Sequence, residues 1–311
     1  MNWVQSEKDI YDAALKAVEK TNQSLIRVYL ITQKEIEAEL KQFYLSVDPS
    51  WPKQYQAARL TEVFKTISIR LKALTGISTE KIEQAFLRVY QETFNNYAYN
   101  FSSYYADPKA FPILPFMVQS EKVIMAALNE KIGEYSFMKS MTEKQTILRD
   151  SLREQIAVAI SKGESTAKLT ARLKEVFDSG IARYATTART EMLKAFSIAQ
   201  EESTKQALDM GIDMKFQWIA ANQPNRTRAS HLAMNGKFAR EFTADGMPVF
   251  KVGMSKGPGP RLLKGDDEKA QNINCRCRRI NIPLPLTAEQ EFEFERVTTT
   301  PTAEQYINMI S

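Results

Sequence analysis

The residues with the widest chemical reach lie near the end of this sequence. His231 is the only histidine, and the only cysteines, Cys275 and Cys277, stand one residue apart. One imidazole nitrogen with two thiolates is a mixture that zinc accepts tetrahedrally, so these three residues are the metal-ligand candidates. The set is incomplete: Cys-x-Cys is not the usual Cys-x2-Cys knuckle, and no fourth ligand stands out. The plainer reading packs at least one cysteine into a small core at the start of the final strand. Alternation there puts both cysteines on one face and Arg276 on the other. A bridge between them would close a tiny strained ring and restrain almost no chain entropy. As the base of a hydrolase His231 lacks partners, since no Ser or Cys stands in a nucleophile elbow and Asp245, Asp266 and Asp267 fall in loop sequence. The expectation is a hydrogen-bonded structural histidine, no catalytic residue and no cofactor, with zinc as the alternative.

Arg226 and Arg228 alternate around Thr227 in the same way, and Arg189 and Glu191 lie on a helix that can reach them. Guanidinium forks fix carbonyls and carboxylates, so a structural network is expected around a glycine-rich region with little apolar core. Trp218 is the expected anchor of that core, its N–H on a loop carbonyl. Between Lys251 and Arg279 eight basic residues (Lys251, Lys256, Arg261, Lys264, Lys269, Arg276, Arg278 and Arg279) face only Asp266, Asp267 and Glu268. Basic loops neutralise phosphates without reading bases. Lys251, Lys256, Arg261, Lys264, Arg276, Arg278 and Arg279 are therefore the nucleic-acid candidates, against a simple solvated charged surface. No Gly-x4-Gly-Lys-Ser/Thr phosphate loop is present.

These residues must be positioned by the elements before them. Apolar residues recur at helical spacing from Gln5 to about Val47, with Ile10, Ala14 and Val18 on one stripe. Pro49 and Pro52 break the pattern. A second helix is predicted from about Gln54 to Leu74, capped by Gly76, and a third from about Thr79 to Tyr105. Its Tyr97, Tyr99, Phe101, Tyr104 and Tyr105 are assigned to packing. Asp107 to Pro115 reads as a Pro-rich surface connection. Thr142 with Gln145 suits a capping box for a helix reaching about Ser161. Ser165 can cap the next helix, ended by Gly180, and a long helix follows from about Ala182 to Met210, stopped by Gly211. Strand-like runs then appear at 215–219, 237–238, 249–250 and 279–282, and six of the 11 glycines fall between 236 and 265. The fold class is mainly α with a C-terminal α+β module: long amphipathic helices followed by a small loop-rich sheet.

At 311 residues the chain suits two domains. The division read here is a helical docking or scaffold region at 1–160, a module at 161–286 and a tail at 287–311. In that tail Glu289, Glu291, Glu293 and Glu295 alternate with Gln290, Phe292 and Phe294, as an edge strand or a partner-binding segment would. Hydrophobic residues at 43% and charged residues at 25% are ordinary for a globular chain. The net charge of +5 permits contact with nucleic acid without demonstrating it. The N-terminus lacks the order of a signal peptide, and no apolar run approaches the ~20 residues of a membrane span. Folding in a cytoplasm, with no membrane partner, is expected.

Taken in order, Ala188-Arg189-Thr190-Glu191, Trp218, Asn225-Arg226-Thr227-Arg228-Ala229-Ser230-His231, Gly236 and Asn274-Cys275-Arg276-Cys277 resemble the Mu F-like head morphogenesis domain of tailed phages. One position departs: family members carry Asp two places before the first Arg of the Arg-Thr-Arg element, where this chain has Pro224, and Asn225 can supply part of that turn role. The resemblance implies a minor capsid protein of low copy number, associated with the portal protein and other head proteins, linked to head assembly and DNA packaging or delivery, and exposed to packaged double-stranded DNA. It implies residence in the host cytoplasm during assembly and then in the virion, in the capsid interior or near the portal. The rival readings are a nucleic-acid-processing or toxin-like enzyme using His231 with Arg226 and Arg228, and a DNA-binding module with no head role.

Overall fold

A computed structural model describes residues 3–46, 53–105, 116–130, 136–162, 164–221 and 226–285. The Pro-rich connection at 107–115, the turn residues Pro224 and Asn225 and the tail from 287 lie outside these. Five helices come first: α1 (Trp3–Ser46), α2 (Lys53–Tyr105), α3 (Glu121–Leu128), α4 (Phe137–Ser161) and α5 (Thr166–Asp209). Then follow β1 (Met214–Ile219), α6 (Ala229–Leu232), β2 (Glu241–Phe242), β3 (Pro248–Val252), β4 (Ser255–Gly257), β5 (Lys264–Gly265), α7 (Glu268–Asn272) and β6 (Arg278–Pro283). The protein is mainly α with small antiparallel sheets at its C-terminal end. Among the described residues no helix is long and apolar enough to cross a membrane.

Three helix boundaries differ from the sequence reading, each for a packing reason. Gly76 does not end a helix; α2 runs through it for 53 residues. Leu71 and Leu74 before it and Ser78 and Ile82 after it are all buried, so the apolar stripe continues across the glycine. Gly180 likewise sits inside α5. A Cβ there would stand 3.3 Å from Leu148 Cδ1 and 3.5 Å from Tyr29 Cε1, so close helix packing explains this glycine. Thr142 opens nothing either, because α4 begins at Phe137, with the Ser136 hydroxyl accepting the Lys139 N–H. Thr142 donates back to the Met138 carbonyl inside the helix. Gly211, at φ +83°, does stop α5, as the Ile212 N–H returns to the Ala207 carbonyl.

The described residues form two compact units, each discontinuous in sequence. One draws on Val18–Ala85 and Asn129–Arg189, and its regular elements among the described residues are all helices. Its core includes Tyr29 and Tyr184, edge to face at 5.1 Å, with Leu71, Leu152 and Phe177. The other draws on Met1–Ala17, Phe86–Leu128 and Thr190–Ser311 and carries the sheets. There β1 pairs antiparallel with β6, Trp218 opposite Arg279, and a second sheet runs β2-β3-β4-β5. The run at 237–238 makes a single bridge, Gln217 to Phe238, on the free edge of β1.

Candidate functional site

Three short elements converge behind β1. Arg228 precedes the single turn of α6 and donates from Nη2 to the Ile273 carbonyl at 2.6 Å, tying that turn to the segment after α7. His231 is therefore carried inward, 1% exposed, with its ring edge-on to Trp218 at 5.4 Å. Asn274 follows in the left-handed region, at φ 56°, its N–H held by the Thr190 hydroxyl of α5 at 3.0 Å. That reversal turns Cys275 and Cys277 to the same side, both 2% exposed. His231 Nδ1 lies 3.5 Å from Cys275 Sγ and 3.3 Å from Cys277 Sγ. The three ligand atoms all fall within 4.8 Å of one another.

The imidazole is oriented from behind. Gln271 Nε2 donates to Asp267 Oδ2 at 2.6 Å, which leaves Gln271 Oε1 facing His231 Nε2 at 2.9 Å. An amide oxygen there takes the Nε2 proton, and Nδ1 faces the two sulfurs. Asp267 is itself fixed by the Ser255 hydroxyl and the Met254 N–H; these bonds, that of Ser255 first, hold its carboxyl below the usual range. The Cys277 thiol, then His231 and the Arg261 guanidinium, pull the Cys275 thiol well below its ordinary value against the effect of burial. Cys277, hydrogen-bonded to Cys275 and buried, is pushed up. One sulfur of the pair thus ionises ahead of the other. A cavity of about 10 Å³ adjoins the trio, lined by Ala221, Arg226, Thr227, Arg228 and Asn274 as well as the three ligands. Its volume is that of one water or one ion.

The remaining motif residues hold the frame. Gly236, at φ +75°, donates its N–H to the Trp218 carbonyl at 2.8 Å, closing the loop after α6 against β1. Trp218 is fully buried against His231 and Phe250, and among the described residues its indole N–H reaches no acceptor. Glu191 is buried on α5, and Arg189 lies half-buried at the end of the other unit.

Among the basic candidates the structure makes a sharp division. Arg261 and Arg279 are each 2% exposed and face no solvent, so neither can meet a phosphate. Arg261 donates from Nε to Ser197 Oγ at 3.0 Å and from Nη1 to the carbonyls of Cys275 and Cys277 at 3.2 and 2.5 Å. Arg279 binds Asn281 Oδ1, the Pro258 carbonyl and Thr204 Oγ1 at 2.8, 2.9 and 2.9 Å. Arg276 and Arg278 are half-buried. By contrast Lys251, Lys256 and Lys264 are exposed and directly opposite one another across β3, β4 and β5. Lys251 also pairs with Glu241 at 2.7 Å.

One part of the site was invisible to motif reading. Trp3, Glu7 and Tyr11 fall at i, i+4 and i+8 on α1 and project into the sheet-bearing unit. Trp3 Nε1 donates to the Asn281 carbonyl, and Tyr11 donates to the Arg276 carbonyl at 2.6 Å. Glu7, 1% exposed, accepts the Tyr97 hydroxyl and, at 3.1 Å, the Asn281 N–H. Burial pushes its carboxyl up to about 7, although Tyr97, Asn281, Arg279 and Arg278 favour the anion. Asn272 was missed as well: its side chain clamps both backbone groups of Leu263, at 3.2 and 2.6 Å. The period-four spacing of Trp3, Glu7 and Tyr11 was the available signal, because a carboxylate inside an aromatic stripe marks a buried polar contact.

Residues 150–280 match a family model described as "Phage Mu protein F like protein", a span that contains the whole His231, Cys275 and Cys277 cluster. The chain is also similar to a curated protein of Enterococcus faecalis (strain ATCC 700802 / V583) named NAD(+)--arginine ADP-ribosyltransferase EFV, 21% identical over 284 residues. That alignment covers 87% of this chain and 54% of the relative, so the chain spans about half the length of the curated relative it matches. No solved structure matches it.

Proposed function

We propose that this chain, whose residues 150–280 form a phage Mu protein F-like domain, is a non-enzymatic minor head protein that associates with the portal and acts in head assembly and in packaging or delivery of DNA. The observation that carries this reading is the family match over the region where the Arg-Thr-Arg/His and Cys-Arg-Cys segments meet. A structural role is further supported by how the motif residues are used. Arg228 binds backbone, and His231 has both ring nitrogens engaged. In this reading the chain is made in the host cytoplasm and then resides in the virion. The test is co-expression with a portal protein from the same genome, followed by affinity capture and mass spectrometry of purified virions. Stable association and presence in the particle are expected; absence from both would overturn the assignment.

Contact with packaged DNA is assigned to the row of Lys251, Lys256 and Lys264. Like charges directly opposite on neighbouring strands repel, and a polyanion laid along the row relieves that repulsion. Binding to duplex DNA should be independent of sequence and fall steeply with salt. Lys256→Glu, at the centre of the row, should weaken it more than tenfold and flatten the salt dependence, measured by fluorescence anisotropy. The name of the Enterococcus relative supplies a second reading, transfer of ADP-ribose from NAD(+) to arginine. Incubation with labelled NAD(+) and an arginine-rich acceptor separates the two, because label transfer would make the chain an enzyme.

A further inference from the structure

We propose that His231 Nδ1, Cys275 Sγ and Cys277 Sγ are three ligands of a zinc ion that locks the turn of α6 to the segment entering β6. This inference stands apart from the head-protein reading and needs no portal. Three observations carry it. The first is the distance pattern: tetrahedral zinc, with bonds of about 2.3 Å to sulfur and about 2.0 Å to nitrogen, sets sulfur and nitrogen about 3.5 Å apart. The observed separations are 3.5 and 3.3 Å.

The second is the support behind the imidazole. Zinc-bound histidines donate their other N–H to an oxygen that fixes ring and tautomer. Here Gln271 does so at 2.9 Å, and Asp267 fixes the amide in turn at 2.6 Å.

The third is the backbone around the sulfurs. Arg261 grips the carbonyls of Cys275 and Cys277 together, which sets the two side chains as one unit facing Nδ1. The fourth zinc position opens on the cavity of about 10 Å³, whose volume suits one water. Soft thiolates with an imidazole in tetrahedral array select zinc over magnesium or calcium. Binding requires both sulfurs as thiolates, so any proton still held by a thiol is released, and the dication with two thiolates leaves the buried site neutral.

The full chain, purified under reducing conditions from zinc-supplemented medium, should carry about one zinc per chain by elemental analysis. After removal of zinc, cobalt(II) should be taken up with thiolate-to-metal charge-transfer bands in the near ultraviolet and the intense visible bands of a tetrahedral site. Gln271→Ala retains all three ligands and should weaken metal binding by about 10–100-fold, a readout independent of whether cysteine variants fold. Cys275→Ser with Cys277→Ser should abolish the charge-transfer bands. A folded wild-type chain that contains little zinc and shows no cobalt–thiolate bands would overturn the proposal. So would unchanged metal content and spectra in the double cysteine variant.

Discussion

At the scale of single residues, the site depends on groups that carry no motif. His231, Cys275 and Cys277 are conspicuous by scarcity, since each residue type occurs once or twice in the chain. Gln271, Asp267, Asn272 and Arg261 have no such signal, because common polar residues reveal a role only when the fold supplies a partner. Arg261 is the clearest case. It holds a left-handed backbone at φ 70° while three of its hydrogen bonds fix Ser197 and two cysteine carbonyls. Charge counting put it among phosphate ligands, where an exposed lysine would have served equally well. Burial reverses that logic, because an ammonium cannot reproduce the planar fork. Arg261→Lys should destabilise the fold by about 3 kcal/mol, from buried carbonyls left without donors. Urea unfolding checks this, and a loss below about 1 kcal/mol, the scale of one ordinary hydrogen bond, would mean the fork is dispensable.

At the scale of elements, helical periodicity was legible and helix ends were not. The apolar stripes of α1, α2 and α5 are local patterns, whereas the role of a glycine depends on what packs against it. Gly76 and Gly180 look alike in sequence, yet a Cβ at Gly76 meets nothing within 4 Å while one at Gly180 presses on Leu148 and Tyr29. Gly76→Ala should therefore stabilise the protein by about 0.5–1 kcal/mol through helix propensity. Gly180→Ala should lose that gain to crowding, and thermal melts of the two variants should move in opposite directions or differ by several degrees.

The start of α1 makes a second prediction at this scale. Glu7 is a carboxyl raised from 4.5 to about 7, opposite to the usual depressed acid. Below about pH 4.5 both folded and unfolded chains hold its proton. Between about 4.5 and 7 the unfolded chain releases the proton while the folded chain keeps it, so stability falls as pH rises; above 7 the loss is complete. The total is on the order of 3 kcal/mol. Tyr97, Gln200, Arg278 and Arg279 face or neighbour this carboxyl and remain in place in Glu7→Gln. The variant should therefore lack this slope and exceed wild type in stability at pH 8 but not at pH 5. Parallel pH profiles for the two proteins would refute it.

At the scale of the whole molecule, composition and contact divide the chain differently. Reading along the sequence separates helices from a glycine-rich end, because composition changes near Gly211. Packing instead joins residues of Met1–Ala17 and Phe86–Leu128 to those after Thr190 in one compact unit. No local pattern reports such a union, since which stripe meets which is decided by partners hundreds of residues apart. The consequence can be tested on a fragment of residues 161–286, the stretch that motif reading isolates. It lacks Trp3, Glu7 and Tyr11, and with them the bonds to the Asn281 carbonyl, the Asn281 N–H and the Arg276 carbonyl. It also lacks Tyr97 and Phe101, both fully buried, so Gln200 and Phe196 would face water where they now meet aromatic rings. Removing so much of one core exceeds the 5–15 kcal/mol by which ordinary domains are stable. The fragment should keep helical far-ultraviolet dichroism, lose the near-ultraviolet signal of Trp218, and bind a hydrophobic dye, as a state with secondary structure but no fixed packing does. Cooperative unfolding of the isolated fragment, with native near-ultraviolet dichroism, would show that the α1 stripe decorates this unit rather than completing it.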